Sequence, residues 1–427
     1  MYENEMIEWA KKLFPKHRSI TGKGIKESLS FFEKINPELK RIKFRSGKKV
    51  FDWKIPLEWN IEDAYIQHVK SGKKFCEFKK NNLHIVSYSQ PINKTISKKE
   101  LIKKIYTQKD QVNSIPYVTS YYKKSWGFCM SEKQKRKLPR GQYKVYINSS
   151  FKKGTLDLSH CILKGKSKKE IFFSTYICHP SMANNELSGP VVMNAIIKYI
   201  KKKYKNRHYS YRFVLLPETI GSISYLSRFL KILKKNVISG FNLSMVGDER
   251  SYTQVYSPEE NNLADNALHV ALHGLQNVKR LSFLNRGSDE RQYCSPRVNL
   301  PFTAFYRSRF YPEYHTNKDN FNLVTKKGLS GSFKVIKDII DTFEFGTIPK
   351  SQVTGEPFLS KKKLYHSISQ KNNYSNTQIK LRTNLIAYSN GKRNIFEIAK
   401  ILNQSLKKIK EELLLLKSKK ILKFDYI

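Results

Sequence analysis

The feature that most constrains the fold is a short apolar segment at residues 171–177, with the sequence IFFSTYI. A run of Ile, Phe, Thr and Tyr predicts a strand that is buried in a parallel sheet. The segment leads into His179, and a polar loop rich in asparagine then follows as far as Gly189. Open α/β sheets bind ligands outside the carboxyl ends of their strands, so His179 is a candidate site residue.

Strands and helices alternate on both sides of this segment. We predict strands at residues 143–149, 156–163, 211–216 and 242–246, and helices at 190–201 and 222–233. The alternation predicts an α/β domain with a mixed, largely parallel sheet and helices on both faces, formed by residues 1–57 and 141–348.

Two further parts accompany this domain. Residues 58–140 contain short β-type runs and many aromatic residues, which predicts a small β-rich inserted domain beside the sheet. A polar, lysine-rich linker at residues 351–376 leads to apolar residues at helical spacing over 395–402 and 406–417, ahead of a predicted terminal hairpin at 421–426. We therefore predict a linker and a winged-helix domain over residues 349–427.

Composition excludes several classes of protein. With 427 residues and 39% hydrophobic content, the chain can form several cores, and it has no apolar stretch long enough for a bilayer. Its start lacks the features of a signal peptide, and its five scattered cysteines do not form a disulfide or CxxC pattern. We therefore expect a cytoplasmic protein without a membrane partner; homo-oligomer formation stays open.

The net charge of +45 at pH 7 does not by itself indicate a nucleic-acid partner. Most of the excess is lysine, and the lysines are spread through every segment of the chain. An AT-rich genome produces this composition through its codons. The charge does predict non-specific, salt-sensitive binding to polyanions.

Residues with metal-binding chemistry follow the predicted strands. His179, Glu218 and Asp248 each follow one strand, and His315 lies downstream in YPEYHTNKD. Imidazole and carboxylate are the ligands that suit zinc or a similar divalent ion, and strand ends can bring them together. Each residue alone also fits a structural role, for example Glu218 as a helix cap or Asp248 as a partner of Arg250.

The order of the motifs HP, ANNELSG, PE, GD and EYHTNKD resembles the co-catalytic zinc aminopeptidases of peptidase clan MH. The motifs RSITGKG, VFDWKIPLEWNIEDAYI, RGSDERQY and YPEYHTNKD are more similar to bacterial aminopeptidase-like domain proteins, which carry an inserted domain of unknown function and a C-terminal winged helix. The resemblance covers nearly the whole chain. It implies hydrolysis of a small peptide or amide by a metal-activated water, with one or two zinc ions as cofactor.

Transferred onto this sequence, the resemblance assigns His179 and Asp248 to one metal ion, and Glu218 and His315 to the other. Asn185 stands where the family has the aspartate that bridges both ions. A neutral amide offsets the repulsion between two ions poorly, so binuclear occupancy is doubtful. Glu186, one position later, supplies a carboxylate if the loop shifts.

Two more departures concern the neighbours of the ligands. The family has two acidic residues together where this chain has Pro217 and Glu218, and a carboxylate where it has Ser181. Glu218 is therefore the catalytic candidate at this position. Three acidic residues are candidates for a replacement base: Asp289, Glu290 and Glu313. Ion pairs with neighbouring basic residues are the alternative role for each of them. We select Glu290 as a catalytic candidate. Arg291 or Tyr293 is the candidate for stabilising an oxyanion or binding a substrate carboxylate.

Two other functions stay open. In the first, the same fold binds a ligand without hydrolysing it, because Asn185 and Pro217 have replaced acidic residues. In the second, the winged helix binds DNA through Lys407, Lys408 and Lys410, and the enzyme-like domain senses a small molecule. The many leucines of this helix favour a packing role for it instead.

Overall fold

The computed structural model describes residues 2–365 and 373–427. The chain begins with two amphipathic helices and a strand that joins the main sheet, followed by a small hairpin. These elements are α1 (Glu3–Leu13), α2 (Lys23–Ile35), β1 (Lys40–Arg45), β2 (Lys49–Val50) and β3 (Trp53–Lys54). Met6, Ala10 and Leu13 of α1 are buried at helical spacing, which explains why this segment packs as a helix on the core.

The inserted domain follows and has its own four-stranded sheet, in the order β5-β4-β9-β6, and its own apolar core. Its elements are β4 (Glu58–His68), β5 (Lys74–Phe75), β6 (Ile92–Ser97), α3 (Lys98–Ile102), β7 (Ile105–Tyr106), β8 (Phe128–Cys129), α4 (Glu132–Arg136) and β9 (Gln142–Lys152). Because β9 pairs with β4 from end to end, the sheet of this domain extends to Lys152, beyond the boundary predicted at residue 140.

The α/β domain is built on an eight-stranded mixed sheet in the order β1-β10-β12-β11-β13-β16-β14-β15, which agrees with the predicted fold class. Its elements are β10 (Thr155–Leu163), β11 (Glu170–Tyr176), α5 (Ser188–Lys203), β12 (Ser210–Leu216), α6 (Ile220–Asn236), β13 (Val237–Leu243), β14 (Tyr252–Val255), α7 (Leu263–Ala271), β15 (Val278–Leu281), α8 (Glu290–Tyr293), β16 (Phe302–Tyr306) and α9 (Lys326–Phe345).

The centre of this sheet determines where a site can form. Strands β12, β11, β13 and β16 are neighbours and run parallel, so their carboxyl ends lie at one edge. Every residue of β11 and β12 is buried, as the continuous apolar run at residues 171–177 predicts. The loops that follow these four strands therefore meet in one place.

The C-terminal domain contains three helices and a two-stranded sheet: β17 (Ile348–Ser351), α10 (Asn373–Tyr388), α11 (Ile395–Ile401), α12 (Leu406–Ser418) and β18 (Leu422–Asp425). The predicted terminal hairpin is wrong. The segment forms one strand, β18, which pairs antiparallel with the distant β17. Part of the predicted linker at 351–376 lies outside the described residues.

The C-terminal domain packs directly on the α/β domain, with α11 against α7 and α12 against α9. Lys400 donates a hydrogen bond to Asn266 across this contact. Within the domain, Arg382 forms a buried ion pair with Glu412 of α12. Among the described residues, no helix is long and apolar enough to cross a bilayer.

Candidate metal centre

His179 lies three residues beyond the end of β11, and both nitrogens of its buried ring face carboxylates. Nδ1 lies 2.8 Å from Oε2 of Glu186, and Nε2 lies 3.7 Å from Oε2 of Glu218, which follows β12. Burial alone would lower the pKa of His179, but the neighbouring Cys178 and then the Glu186 carboxylate raise it well above its ordinary value. A carboxylate on Nδ1 fixes the orientation of the ring and leaves Nε2 as the ligand atom.

Glu186 is itself held by a buried arginine. Nε of Arg18 lies 3.5 Å from Oε1 of Glu186, and both side chains are fully buried. Arg18 also donates hydrogen bonds to the carbonyl oxygens of His179 and Leu13. Separating these two side chains would leave both charges buried and unpaired, which costs free energy. The ion pair therefore holds the loop at residues 179–186 in place.

His315 reaches the same place from the loop that follows β16. Its ring lies 5.5 Å from the ring of His179, centroid to centroid, and is stacked on Tyr314 at 3.8 Å. Burial and the nearby His179 lower the pKa of His315 to about 3, so the imidazole is neutral, as a metal ligand must be. Tyr117 of the inserted domain lies edge-on to both histidine rings, 5.2 Å from each.

Asp248, which the resemblance assigns to the metal ion at His179, has other partners. Oδ1 accepts hydrogen bonds from Ser308 Oγ and the Arg250 amide, and Oδ2 accepts them from the Ser308 amide and Asn184 Nδ2. Protein groups thus donate two hydrogen bonds to each oxygen of the Asp248 carboxylate. The geometry therefore gives Asp248 the role of fixing Asn184 and the loop after β16.

Asn185 occupies the predicted position of the bridging aspartate and is buried. Its amide donates to Oδ2 of Asp319, and its side-chain oxygen has no partner among the described residues. Asp319 also accepts from the amide of Asn184, and so caps the turn at Ala183–Leu187 that opens α5. Asp319 is the last residue of the motif YPEYHTNKD, but no role was assigned to it from the sequence; burial raises its pKa to about 6.

Glu290 and Arg291 lie beside the site, in the loop at residues 287–291. The Glu290 carboxylate accepts hydrogen bonds from four groups: the amides of Gly287 and Ser288, the Tyr306 hydroxyl and the Asn242 amide group. Arg291 donates to the Ser288 carbonyl and to the Thr219 hydroxyl, next to Glu218. Glu290 therefore holds the loop, and Arg291 holds it against the end of β12.

Asp289 is the acid in this loop that is not fully occupied. Oδ1 accepts from the Thr219 amide and the Ser222 hydroxyl, whereas Oδ2 is buried without a partner among the described residues. Burial and the charge of Glu218 raise the pKa of Asp289 to about 7. Burial also raises the pKa of Glu218.

The other residues considered from the sequence have structural partners. Glu313 forms an ion pair with Arg250, the hydroxyl of Ser181 donates to the Phe14 carbonyl, and the Tyr293 hydroxyl is hydrogen-bonded to Ser174. Ser181 thus does not orient His179. Within the described ranges, Cys178, His179 and Glu186 are the one group of three metal-ligating side chains within 4.8 Å, but Nδ1 of His179 is already paired with Glu186 there.

Comparison with known proteins defines the class of fold. A zinc aminopeptidase from Bacillus subtilis is 15% identical and superposes with a TM-score of 0.59, over 80% of this chain and 94% of that one. A crystal structure described as a peptidase from Clostridium acetobutylicum is 34% identical, with a TM-score of 0.89, over 99% of this chain and 96% of that one. The fold is therefore that of the aminopeptidase-like α/β proteins, as the motifs indicated.

The family follows from the sequence comparisons. The chain belongs to the family described as a domain of unknown function, DUF4910, whose model matches residues 7–345. A winged helix-turn-helix model matches residues 347–424, which confirms the predicted C-terminal domain. A Clostridium acetobutylicum relative, 37% identical over 95% of this chain and 93% of its own length, is named as a polysaccharide biosynthesis protein with an aminopeptidase-like domain.

Proposed function

We propose that this protein is a zinc-dependent hydrolase that cleaves a peptide-like or other amide bond. The observation that carries the proposal is the arrangement of His179, with Nδ1 on Glu186 and Nε2 turned toward Glu218 at the ends of two neighbouring parallel strands. Two histidines and a carboxylate with an orienting second carboxylate are the donor set of catalytic zinc sites.

The donor set suits one zinc ion better than two. We propose His179, Glu218 and His315 as the three ligand side chains; their ligand atoms do not all lie within 4.8 Å of one another, so binding of an ion requires these side chains to draw closer together. The remaining position is left for water or substrate. A second ion lacks its ligands, because Asn185 is neutral and the Asp248 carboxylate is occupied by four hydrogen bonds. A zinc ion bound by these residues would lower the pKa of a water and polarise the substrate carbonyl.

The protein's own groups supply the proton transfer. Asp289 is the best-placed proton acceptor, because its Oδ2 has no other partner and its pKa of about 7 allows it to gain and return a proton near neutral pH. Glu290 is less suitable, since hydrogen bonds from four protein groups already occupy both of its carboxylate oxygens. Arg291, fixed beside Glu218, stabilises negative charge that develops on the substrate.

The substrate class follows from chemistry and from one relative. Activated water and a carboxylate base cleave peptide bonds and other amides by the same steps. The relative named for polysaccharide biosynthesis favours an amide on a carbohydrate or on a carbohydrate-linked peptide over a free protein chain. The buried position of His179 also favours a small substrate.

The test is hydrolysis of a panel of aminoacyl and acyl p-nitroanilides by the purified full-length chain. We expect activity that a chelator abolishes and zinc restores. Glu218→Gln should lower kcat at least about a hundredfold, because the uncharged amide is a poor zinc ligand. Glu259→Gln is the control, because this side chain is exposed and lies outside the site. Activity that survives in Glu218→Gln would count against the proposal.

A further inference from the structure

Resting on the proposed amide hydrolysis, we propose that Arg309 binds an anionic oxygen group of the substrate, a carboxylate or a phosphate, beside the bond that is cleaved. Arg309 lies six residues before His315, in the loop that follows β16. No role for it was assigned from the sequence.

Arg309 is a cation that has neither a hydrogen-bond nor an ion-pair partner among the described residues. It is half-buried, and its guanidinium makes no hydrogen bond or ion pair with any residue that the structure describes. Nε is buried and unsatisfied, while the guanidinium lies 5.4 Å from the Tyr306 ring centroid and 4.8 Å from that of Phe310. An arginine offers five N–H donors in a planar fork, so this side chain has unused capacity for an oxyanion.

The guanidinium occupies the space beside Gly287 that a side chain would fill at any other residue. A Cβ atom there would lie 1.8 Å from Nη2 of Arg309, so any other residue would displace the arginine. Arg309 thus packs on one part of the loop that Arg291 binds through the Ser288 carbonyl. Since Arg291 also contacts Thr219, this loop connects both guanidinium groups to the residue that follows Glu218.

Asp289 and Glu290, the two acidic residues of this loop, form no ion pair with Arg309. Asp289 accepts its hydrogen bonds from Thr219 and Ser222, and Glu290 accepts four from other groups of the protein. Glu313, which lies in the same stretch of chain, is paired with Arg250. An external anion is therefore the available partner for Arg309.

The packing of Tyr306 places Arg309 near the candidate catalytic groups. The Arg309 guanidinium lies 5.4 Å from the Tyr306 ring centroid, and the Tyr306 hydroxyl donates a hydrogen bond to Glu290. The next residue, Arg291, donates to the hydroxyl of Thr219, which directly follows Glu218. Arg309 therefore packs against the same segment that reaches the end of β12. A substrate with an oxyanion near its amide can contact Arg309 and the site together.

The test is binding of N-acetyl-L-glutamate α-amide and its neutral isostere N-acetyl-L-glutamine α-amide to the full-length protein, measured by calorimetry at physiological salt. We expect the wild type to prefer the glutamate compound by about tenfold or more, because hydrogen bonds to charged groups are strong. Arg309→Met should abolish the preference, and Arg309→Lys should keep only part of it. Competition by inorganic phosphate but not by acetate would identify phosphate as the source of the anionic group.

The matched control is Arg286→Met. It removes the same charge one residue from Gly287, but its guanidinium lies over Phe283 at 5.0 Å. Equal binding of the two compounds by the wild type would overturn the inference, as would equal losses in the Arg309→Met and Arg286→Met variants. Since binding needs no turnover, charge-selective binding without hydrolysis supports the inference and refutes the proposed function. Hydrolysis by a protein that binds both compounds equally would support the proposed function and refute the inference about Arg309.

Discussion

At the scale of single residues, Glu186 supplies a carboxylate for His179 from within the loop that departs most from the aminopeptidase pattern. From the sequence, Glu186 was considered as a substitute for the bridging aspartate, and Ser181 stood where the orienting carboxylate was expected. In the structure, Glu186 contacts Nδ1 of His179 and Ser181 contacts the Phe14 carbonyl. Glu186 therefore performs the orienting role from a different position in the chain.

Substitution of Glu186 tests this role. Glu186→Gln should weaken zinc affinity about tenfold to a hundredfold, because a neutral amide raises the basicity of His179 less than a carboxylate does. It should also destabilise the fold by about 3–5 kcal/mol, because it leaves the charge of Arg18 buried and unpaired. Zinc affinity is measured by competition with a chromophoric chelator, and stability by denaturant unfolding.

The double variant Arg18→Met with Glu186→Gln separates the two effects. It removes both buried charges, so it should recover much of the lost stability while zinc affinity stays low. Glu259→Gln, at an exposed position, should change neither quantity. Zinc affinity at the wild-type level in Glu186→Gln would show that Glu186 does not orient the ligand.

The residue scale also shows what the sequence could and could not predict. His179, Glu218 and His315 could be proposed as ligands because each follows a recognisable strand or lies in a motif, and the structure places His179 near both of the others. Arg18 was not assigned a role, because its contact with the His179 carbonyl spans 161 positions in the chain. The resemblance assigns Asp248 to a metal ion, and the motif does not reveal that Ser308 and Asn184 donate hydrogen bonds to its carboxylate.

At the scale of elements, the inserted domain is joined to the loop that carries His315. The Tyr117 amide donates to the His315 carbonyl, Pro116 and Thr316 form a β-bridge, and the Ile115 amide donates to Asn317. His315 has a left-handed backbone with φ of 54°. Such a conformation costs about 1–3 kcal/mol and persists only where neighbours hold it, which the insert does here.

Tyr117 tests whether the insert supports the site. Tyr117→Ala removes the ring that contacts both histidines and should weaken zinc binding and destabilise the fold by about 3–5 kcal/mol. Tyr117→Phe keeps the ring and loses only the hydroxyl contact with Tyr121, so it should cost about 1 kcal/mol. Tyr65→Ala, on the insert sheet beside Tyr146, is the control. Unchanged zinc affinity in Tyr117→Ala would contradict the supporting role.

Several elements could be predicted from the sequence, whereas their partners could not. The strand predicted at residues 242–246 lies earlier, at Val237–Leu243, and helix α9 was not predicted. Buried strands such as β11 and β12 have continuous apolar sequences, and the helices α5, α6 and α12 have clear apolar periodicity. The error at the C-terminus arose because a single strand and half of a hairpin have the same pattern. The β18 strand pairs with β17, and that pairing depends on contacts across the whole domain.

At the scale of the whole molecule, the winged-helix domain packs on the α/β domain through α11 and α12. Leu406, Ile409, Leu413 and Leu416 of α12 are buried. Lys410 of the same helix is half-buried near Asp338 and Asp341, and desolvation lowers its pKa despite those charges. Of the lysines considered for DNA binding, Lys407 and Lys408 are exposed. Docking of α11 on α7 attaches the domain to the α/β core.

We therefore predict that duplex DNA binds without sequence preference. The net charge of +45 should give weak binding whose affinity falls steeply with salt, through release of counterions. Changing Lys407 and Lys408 to glutamine should reduce affinity no more than changing the exposed pair Lys234 and Lys235. Fluorescence anisotropy with several duplexes measures both effects. A sequence-specific complex that depends on Lys407 and Lys408 would contradict this role and favour a regulator.

The central claim is that one zinc ion binds between His179, Glu218 and His315. The most direct test is the zinc content of the reconstituted, dialysed full-length protein, measured by atomic emission beside His179→Ala. We predict about one ion per chain in the wild type and close to none in the variant, because the site has three ligand side chains for one ion. Two ions per wild-type chain, or none, would contradict the account.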